Sequence, residues 1–518
     1  MSHYNNRQIR SILWPLFVSL TAVLLYLFTL APTVLWGDDA YFQRVAFTGE
    51  LRADGGGHWL WLQLARLFVR LPWGDVAFRS NLLSAVAAGA TIFALYAAAR
   101  QAGLHRDSAT VAVVSLAIGH TFWMHAVRAE VYTLFTLFVA LHFWLWARWK
   151  MTEATPAGDR FGSAWPLYAG MALFGATLLA HQMALFLLPG WLILIWTKRR
   201  RLRRGEVAGA ALALLLGLVP FLAVIQVQIV AVAAVGLPEA IWLYFTHAGA
   251  DFSRSLFDVS AGALPSDLLV VVALTVLQFC GPALLLILWG LLARGRARLP
   301  APWASLLVLI IVDFLFAATY RVNDRYVFLL PGYLALSLFA GAGWQAARAA
   351  LASRGWALAN FRHYLMVCLF LLIGMPIAVY YAVPRMMVAL DQNPLQVRTL
   401  PGREPNEFFL WPGKRGYVGA LHYGEETLAT LPAGAMLVAD HTPVQTLKYL
   451  QEVVGLRQDV RLVAIQAGND LAPLLSSLPP GTPIFLADSN PDYYNLRSLP
   501  EATLANIGPI FRLELPAN

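Results

Sequence analysis

Trp36-Gly37-Asp38-Asp39 stands just after the first long apolar run, approximately residues 11–31. Ionisable groups at or near membrane depth are rare and mark function by default. Two adjacent carboxylates at the mouth of a membrane helix therefore have two readings. They are loop acids solvated at the membrane surface, or they are a reaction centre held where the chain leaves the lipid. The first apolar run is not succeeded by a small-residue cleavage pattern, so it reads as a retained first helix. The segment after it is then the first outer loop, and the later spans alternate sides from there.

Hydrophobic residues make up 59% of the 518 residues and charged residues 13%. Soluble domains carry about 25% charged residues, so the class is a polytopic membrane protein. The net charge of +9 does not point to nucleic acid. Its bases gather in short loops, at Lys198-Arg199-Arg200-Arg201 with Arg203 and Arg204, and at Arg294, Arg296 and Arg298, as topology signals do. Cys280 and Cys368 lie inside apolar runs and read as packing, not as a disulfide or zinc framework.

About eleven spans are expected, at approximately 11–31, 80–99, 108–123, 129–149, 165–181, 183–197, 207–235, 266–293, 303–320, 326–346 and 363–383. With a cytoplasmic N-terminus, Arg7 and Arg10, Arg100 and Arg106, Lys150 and Arg160, the two basic loops, and Arg348, Arg354 and Arg362 all fall on one side. The C-terminus is then outside. Two domains are expected: a transmembrane domain over 1–383 and an extracytoplasmic α/β domain over 384–518. In the outer loop 32–79, residues 58–71 are mostly apolar, and Gln63, Arg66 and Arg70 share one helical face. That pattern describes a helix lying in the interface, entered through the flexible turn Asp54-Gly55-Gly56-Gly57. Residues 391–416, rich in Pro, Gly and charge, read as a linker or docking segment. Beyond it, 435–439, 460–465 and 483–487 read as buried strands and 442–454 as a helix, the alternation of a small parallel sheet.

The polar residues converge by topology. Asp38, Asp39, His58, His120, His125, Arg128, Glu130, His181, His247, Asp251, Arg254, Asp258, Arg321, Asp324 and Arg325 all fall at outer helix ends or outer loops. Helix interiors are almost free of charge, Asp313 being an exception. A transporter tends to place such groups at the midplane. A carboxylate serves as general base toward a hydroxyl, and the planar fork of Arg suits a phosphate leaving group. Asp38 or Asp39 as base, with Arg128 and Arg321 or Arg325 as clamp, is the minimal set for displacing a lipid phosphate from a sugar. Each member has a plainer alternative. Arg128 and Glu130 serve equally as interfacial anchors, Asp324 and Arg325 as an outer-turn ion pair, and His120 and His125 as polar packing. His181 can be a satisfied turn residue and His58 a helix cap.

Several stretches resemble a known family. They are Ala31-Pro32-Thr33-Val34 with Asp38 after it, Arg79-Ser80-Asn81-Leu82-Leu83-Ser84-Ala85, and Arg128-Ala129-Glu130-Val131-Tyr132. In the tail come Leu431-Pro432-Ala433-Gly434-Ala435, Tyr449-Leu450-Gln451 and Arg457-Gln458-Asp459-Val460. In this order they resemble GT-C superfamily membrane glycosyltransferases, the bacterial relatives of the animal protein O-mannosyltransferase. The resemblance implies a GT-C-like all-α membrane fold carrying the small outer domain. It also implies a polyprenyl-phosphate sugar donor, usually inverting transfer, and an acidic base in the first outer loop. Asp38 takes that position, with Asp39 as its partner, and Glu130 and Tyr132 take the fourth-span motif. His58, His181, Arg321, Asp324 and Arg325 join Arg128 as candidate substrate contacts. Tyr41 stands near a place where the family often has an acid, and Asp54-Gly55-Gly56-Gly57-His58 replaces its His-Pro-Pro-Gly-like turn.

The expected function is thus transfer of a sugar to a glycan, lipid or protein acceptor at the outer face of a bacterial inner membrane. No cofactor is required by the residues, and a divalent cation is left open. A lipid-linked glycan flippase and a non-catalytic envelope assembly protein are the alternatives.

Overall fold

The computed structural model describes residues 2–50, 58–151, 164–246, 263–295, 300–322, 324–355, 361–392, 398–479 and 482–514. The expected 54–57 turn, Arg160, His247, Asp251, Arg254, Asp258, Arg296 and Arg298 lie outside the described residues.

Each long apolar run folds as helix, because lipid leaves backbone amides no other partner than their own helix. Among the described residues, five helices are long and apolar enough to cross a membrane: Val76–Gln101, Arg204–Val230, Ala301–Thr319, Arg325–Ser353 and Phe361–Ala389. Two bent pairs raise that number to seven if each is one span, and Ile12–Phe28, Trp165–Ala180 and Gln182–Lys198 are shorter apolar helices. The helix from Phe361 continues through Pro384 to Ala389, past the expected start of the outer domain.

Burial sorts the helices. The most apolar window of Arg325–Ser353 is wholly buried, whereas those of Arg204–Val230 and Phe361–Ala389 are 11% and 17% buried. The first is the bundle's axis, and the other two present apolar surface outward, as lipid-facing helices do. The axis meets helix Pro282–Gly295 backbone to backbone. A Cβ on Gly290 would collide with the Phe339 carbonyl, and one on Gly343 with that of Leu286. Small residues at a crossing let two membrane helices approach this closely.

Two expected spans are not straight. Residues 108–123 break at Ile118-Gly119, where helices Arg106–Ala117 and His120–Ala126 meet at 69°. Residues 266–293 break at Phe279-Cys280-Gly281, with a bend of 114° and Gly281 at φ 85°. The breaks face each other, and side chains supply the hydrogen bonds that the helices lose. The Thr121 amide donates to Gln278 Oε1 at 2.8 Å, and the His120 amide to Tyr380 Oη at 3.0 Å. Tyr380 in turn donates to the Leu277 carbonyl at 2.8 Å. The short helix His120–Ala126 is thereby turned toward the loop after the first helix, where the Ala31 amide donates to the Val127 carbonyl at 3.0 Å. Both cysteines are free thiols, Cys368 buried and Cys280 beside the break.

Helix Trp59–Phe68 falls within the apolar stretch 58–71 and ends before Arg70. At 10 residues it is too short to cross, and it packs Trp61, Leu62 and Ala65 into the bundle.

The C-terminal domain carries β1 (Met436–Asp440), β2 (Arg461–Ile465), β3 (Ile484–Leu486), β4 (Thr503–Ile507) and β5 (Ile510–Glu514), in the order β2-β1-β3-β5-β4. The three expected strands pair in parallel, with Val438 opposite both Val463 and Leu486. The unanticipated β4–β5 hairpin adds antiparallel to β3, so the sheet is mixed. The core of this domain does not stop at its own chain segment. Val34, Trp36, Ala40, Val76 and Ala77 of the membrane half pack into it.

Candidate active site

The paired aspartates open helix Asp38–Thr48. Gly37 is its N-cap, at φ 59° and ψ −126°, a backbone region that side chains exclude. A Cβ there would find room, its nearest atoms lying 4.0 Å away, so the requirement for glycine is conformational. Gly37→Ala is expected to cost about 1–3 kcal/mol and to lower activity by misaiming both aspartates. Thermal unfolding and turnover of the full chain check this together.

The two carboxylates face different surroundings. Asp39 is 2% exposed, and its Oδ1 lies 3.3 Å from Arg128 Nε. The angle is too poor for a hydrogen bond, so this contact is ionic. Arg128 Nη2 donates to Glu130 Oε1 at 2.9 Å. One guanidinium thus sits between two buried acids in the loop before helix Tyr132–Met151. Burial and the neighbouring Asp38 push Asp39 up to about 7 against the pull of Arg128, and burial pushes Glu130 well above its ordinary range. Asp38, by contrast, has a half-exposed side chain and accepts a hydrogen bond from His441 Nε2 at 2.9 Å. Desolvation works against its charge, but the hydrogen bond and the positive charges of His441, Arg128 and His58 together hold it below its usual value.

Three further candidates meet as a stack. The His58 and His181 rings are 5.0 Å apart and nearly parallel, and Tyr132 lies 5.4 Å from His181. His181 Nδ1 accepts from the Met183 amide, capping the short helix Gln182–Leu187. His58 does not cap helix Trp59–Phe68 with its side chain. Tyr132 also meets the ring of His125, which is fully buried. His120 does not reach that ring's surroundings by hydrogen bond; its Nε2 pairs with the Phe409 carbonyl at 2.7 Å. Asp324 is pushed up to about 6 by burial and by Asp38, which places it on the same charge cluster.

Arg321 and Arg325 go elsewhere. Asp267 accepts from Arg321 Nε at 2.8 Å and from Arg325 Nη1 at 2.6 Å. The ion pair of this turn is therefore Arg325 with Asp267, not with Asp324.

Three residues on the site were not anticipated, and all come from the C-terminal part. Lys414 is 3% exposed and is tied to the Trp411 and Pro412 carbonyls at 2.6 and 3.3 Å. Burial, reinforced by Arg128, brings its ammonium down to about 7. Arg403 lies over the Phe408 ring, and burial lowers it too. His441 is the partner of Asp38. The signal for Lys414 was the basic pair Lys414-Arg415 directly after Trp411-Pro412-Gly413, a stretch too apolar for a solvated linker. Among the described residues, no group of three His, Cys, Asp or Glu side chains is arranged to hold a metal ion. The arrangement is a reachable, ionised carboxylate beside a recessed cluster of cations, which suits proton abstraction next to an anionic leaving group.

Residues 55–204 match the family of protein O-mannosyl-transferase TMEM260 N-terminal domains. Protein O-mannosyl-transferase TMEM260 of Mus musculus is 28% identical over 213 residues, which is 40% of this chain and 29% of the relative. The chain therefore matches less than a third of that protein's length. Two crystal structures of ArnT from Cupriavidus metallidurans, one in the apo state and one bound to undecaprenyl phosphate, share the architecture. Their TM-scores are 0.54 and 0.56 at 15% and 16% identity, and each comparison covers 96% of this chain and 97% of ArnT. The fold is the GT-C fold that the sequence motifs implied, with a small C-terminal sheet domain.

Proposed function

We propose that this chain is a membrane glycosyltransferase that moves a sugar from a polyprenyl-phosphate donor to a hydroxyl-bearing glycan, lipid or protein acceptor. The observation that carries the reading is the division of labour between Asp38, open and ionised, and Asp39, buried against Arg128 and Glu130. Asp38 is the base. The acceptor oxygen forms its bond to the anomeric carbon as the carbon–oxygen bond to phosphate breaks. The acceptor proton passes to Asp38, and the bonding pair leaves with the phosphate, so the anomeric centre inverts. Asp39 and Glu130 hold Arg128 toward that phosphate, and Lys414 adds a second cation that gains its proton as the anion arrives. The His58–His181–Tyr132 stack offers flat faces and ring edges for the sugar. The undecaprenyl phosphate bound by ArnT supports a polyprenyl phosphate here, and the shared side of the basic loops supports an outer-facing site in a bacterial inner membrane.

The test is a transfer assay. Membrane vesicles bearing the full chain are given undecaprenyl-phosphate mannose carrying a labelled sugar, and label on envelope glycan, lipid and protein is counted. Covalent transfer supports the reading. Movement of the intact donor across the vesicle, without transfer, replaces it with the flippase reading.

A further inference from the structure

The base and its hydrogen-bond donor belong to different halves of the chain. His441 opens helix His441–Tyr449, directly after β1, and stands 403 residues from Asp38. Two consecutive residues of one half meet two of the other. The Gly37 amide donates to the Thr442 carbonyl at 3.1 Å, and His441 Nε2 reaches Asp38 Oδ1 at 2.9 Å. Neither end is loose. Asp440 caps the helix by accepting from the Thr442 amide, and is itself held by Arg398 through both oxygens and by the Tyr494 hydroxyl. On the other side, Gly37 fixes the direction in which Asp38 leaves the backbone.

The surrounding contacts seat one half on the other. Thr446 Oγ1 donates to the Leu35 carbonyl at 2.9 Å, the Ala77 amide donates to Tyr449 Oη at 3.1 Å, and Trp36 Nε1 donates to Tyr417 Oη at 2.6 Å. Arg44 Nη1 pairs at 2.7 Å with Glu452, in the turn Leu450–Val454 that continues this helix, and at 2.7 Å with Glu50 of its own half. Most of this interface is apolar or backbone-bonded and is accounted for by docking alone. The His441–Asp38 contact is not, because both side chains are about half exposed, at 55% and 53%, and such exposed pairs contribute little to stability. A contact that holds so little yet lies on the one exposed carboxylate of the aspartate pair is explained by what it does to that carboxylate.

We propose that His441 is a positioning residue for Asp38, so that the active site is completed only when the C-terminal domain docks. This rests on the reading of Asp38 as the base. An ionised carboxylate only accepts hydrogen bonds, so Nε2 carries the hydrogen. That bond occupies Oδ1 and presents Oδ2 to the acceptor hydroxyl. The acceptor proton goes to Oδ2, and the histidine keeps its own. Arg128 and His58 face Asp38 with positive charge, whereas Asp39, Glu130 and Asp324 are themselves raised by the charge of Asp38 and hold their protons while it ionises. His441 is thus one of three groups that favour the ionised base against desolvation.

The experiment measures kcat against pH for the full chain in vesicles with undecaprenyl-phosphate mannose, for His441→Ala, His441→Gln, Glu452→Gln and Asp38→Asn. His441→Ala is expected to lower kcat at neutral pH by roughly 10- to 100-fold, the scale of a misplacement of about 1 Å. Its acidic limb moves to higher pH, because the ionised carboxylate has lost a stabilising partner. His441→Gln keeps a donor at similar reach and recovers most of the neutral-pH rate, while its acidic limb stays shifted. Glu452→Gln loosens the same interface without touching Asp38 and leaves both rate and profile unchanged. If Glu452→Gln reproduces the loss, the effect is docking and the inference is overturned. It is overturned as well if His441→Ala keeps the parent rate and profile while Asp38→Asn is inactive. An active Asp38→Asn variant removes the base reading itself.

Discussion

Asp38→Asn abolishes sugar transfer while the protein folds and inserts as before. The expected loss is about 10²–10⁴-fold, the range that a positioned general base contributes. The substitution keeps shape and volume and removes only the capacity to take a proton. It buries nothing new, since the side chain is half exposed, and it keeps an oxygen that can accept from His441. The stability change is therefore within about 1 kcal/mol, as for other exposed pairs. Asp39→Asn is the instructive contrast. It lies behind Asp38 at 2% exposure and touches Arg128, so its loss acts through the cation and not through the acceptor. Label transfer in vesicles, beside a melting curve of each purified variant, separates the two. Transfer by Asp38→Asn at the parent rate would remove Asp38 from the chemistry, and a collapsed melting temperature would mean that the loss reports folding.

Much of this site was legible because the stretches that carry the family resemblance also hold one another. Asn81 donates to the Ala31 carbonyl at 3.0 Å, and the Ala31 amide to that of Val127 at 3.0 Å. Ser84 donates to the Glu130 carbonyl at 3.1 Å, and Thr33 to Asp75 at 2.6 Å. Residue types confined to helix ends by these bonds leave a local mark, so Asp38, Asp39, Arg128 and Glu130 could be read together. The parts that were not legible depend on partners distant in sequence. Nothing near Arg321 or Arg325 points to Asp267, more than 50 residues away, and nothing near His441 points to Asp38. The two bends were missed for another reason. Hydropathy tracks composition, and the residues at both breaks are apolar enough to sustain a run, while the bends are set by Gly281 and by the hydrogen bonds that Gln278 and Tyr380 accept from the amides of Thr121 and His120. In the C-terminal domain the parallel strands announced themselves as short apolar runs. The β4–β5 hairpin, with its Gly508-Pro509 turn, carries a half-exposed alternation that is weaker to the eye.

Arg128→Gln is expected to damage both stability and turnover, and the stability loss depends on pH in a direction that the site fixes. Removing one partner of a buried ion pair costs about 3–5 kcal/mol, since the remaining charge is left without compensation. Here two carboxylates are left, with side chains 3% and 6% exposed. In the parent, Asp39 already stands at about 7 in the folded chain against an ordinary 3.8. The folded state therefore binds more protons than the unfolded one between those values, and stability falls as pH rises through that window. Arg128 restrains the effect by pulling both Asp39 and Glu130 down. Without it both carboxyls move further up, so the fall continues to higher pH. Parent and variant should melt close together near pH 4, where the carboxyls are protonated in both, and diverge progressively above neutrality. Arg128→Lys keeps the charge and loses the fork. It should recover much of the melting temperature, yet leave the donor KM raised because one point charge cannot hold two acids and a phosphate in one plane. Melting curves of the three proteins from pH 4 to pH 9, with donor titrations at neutral pH, decide the matter. A deficit of equal size at every pH would show that Asp39 and Glu130 do not depend on Arg128 for their charge. A donor KM unchanged in Arg128→Lys would move the phosphate contact to Lys414 and Arg403.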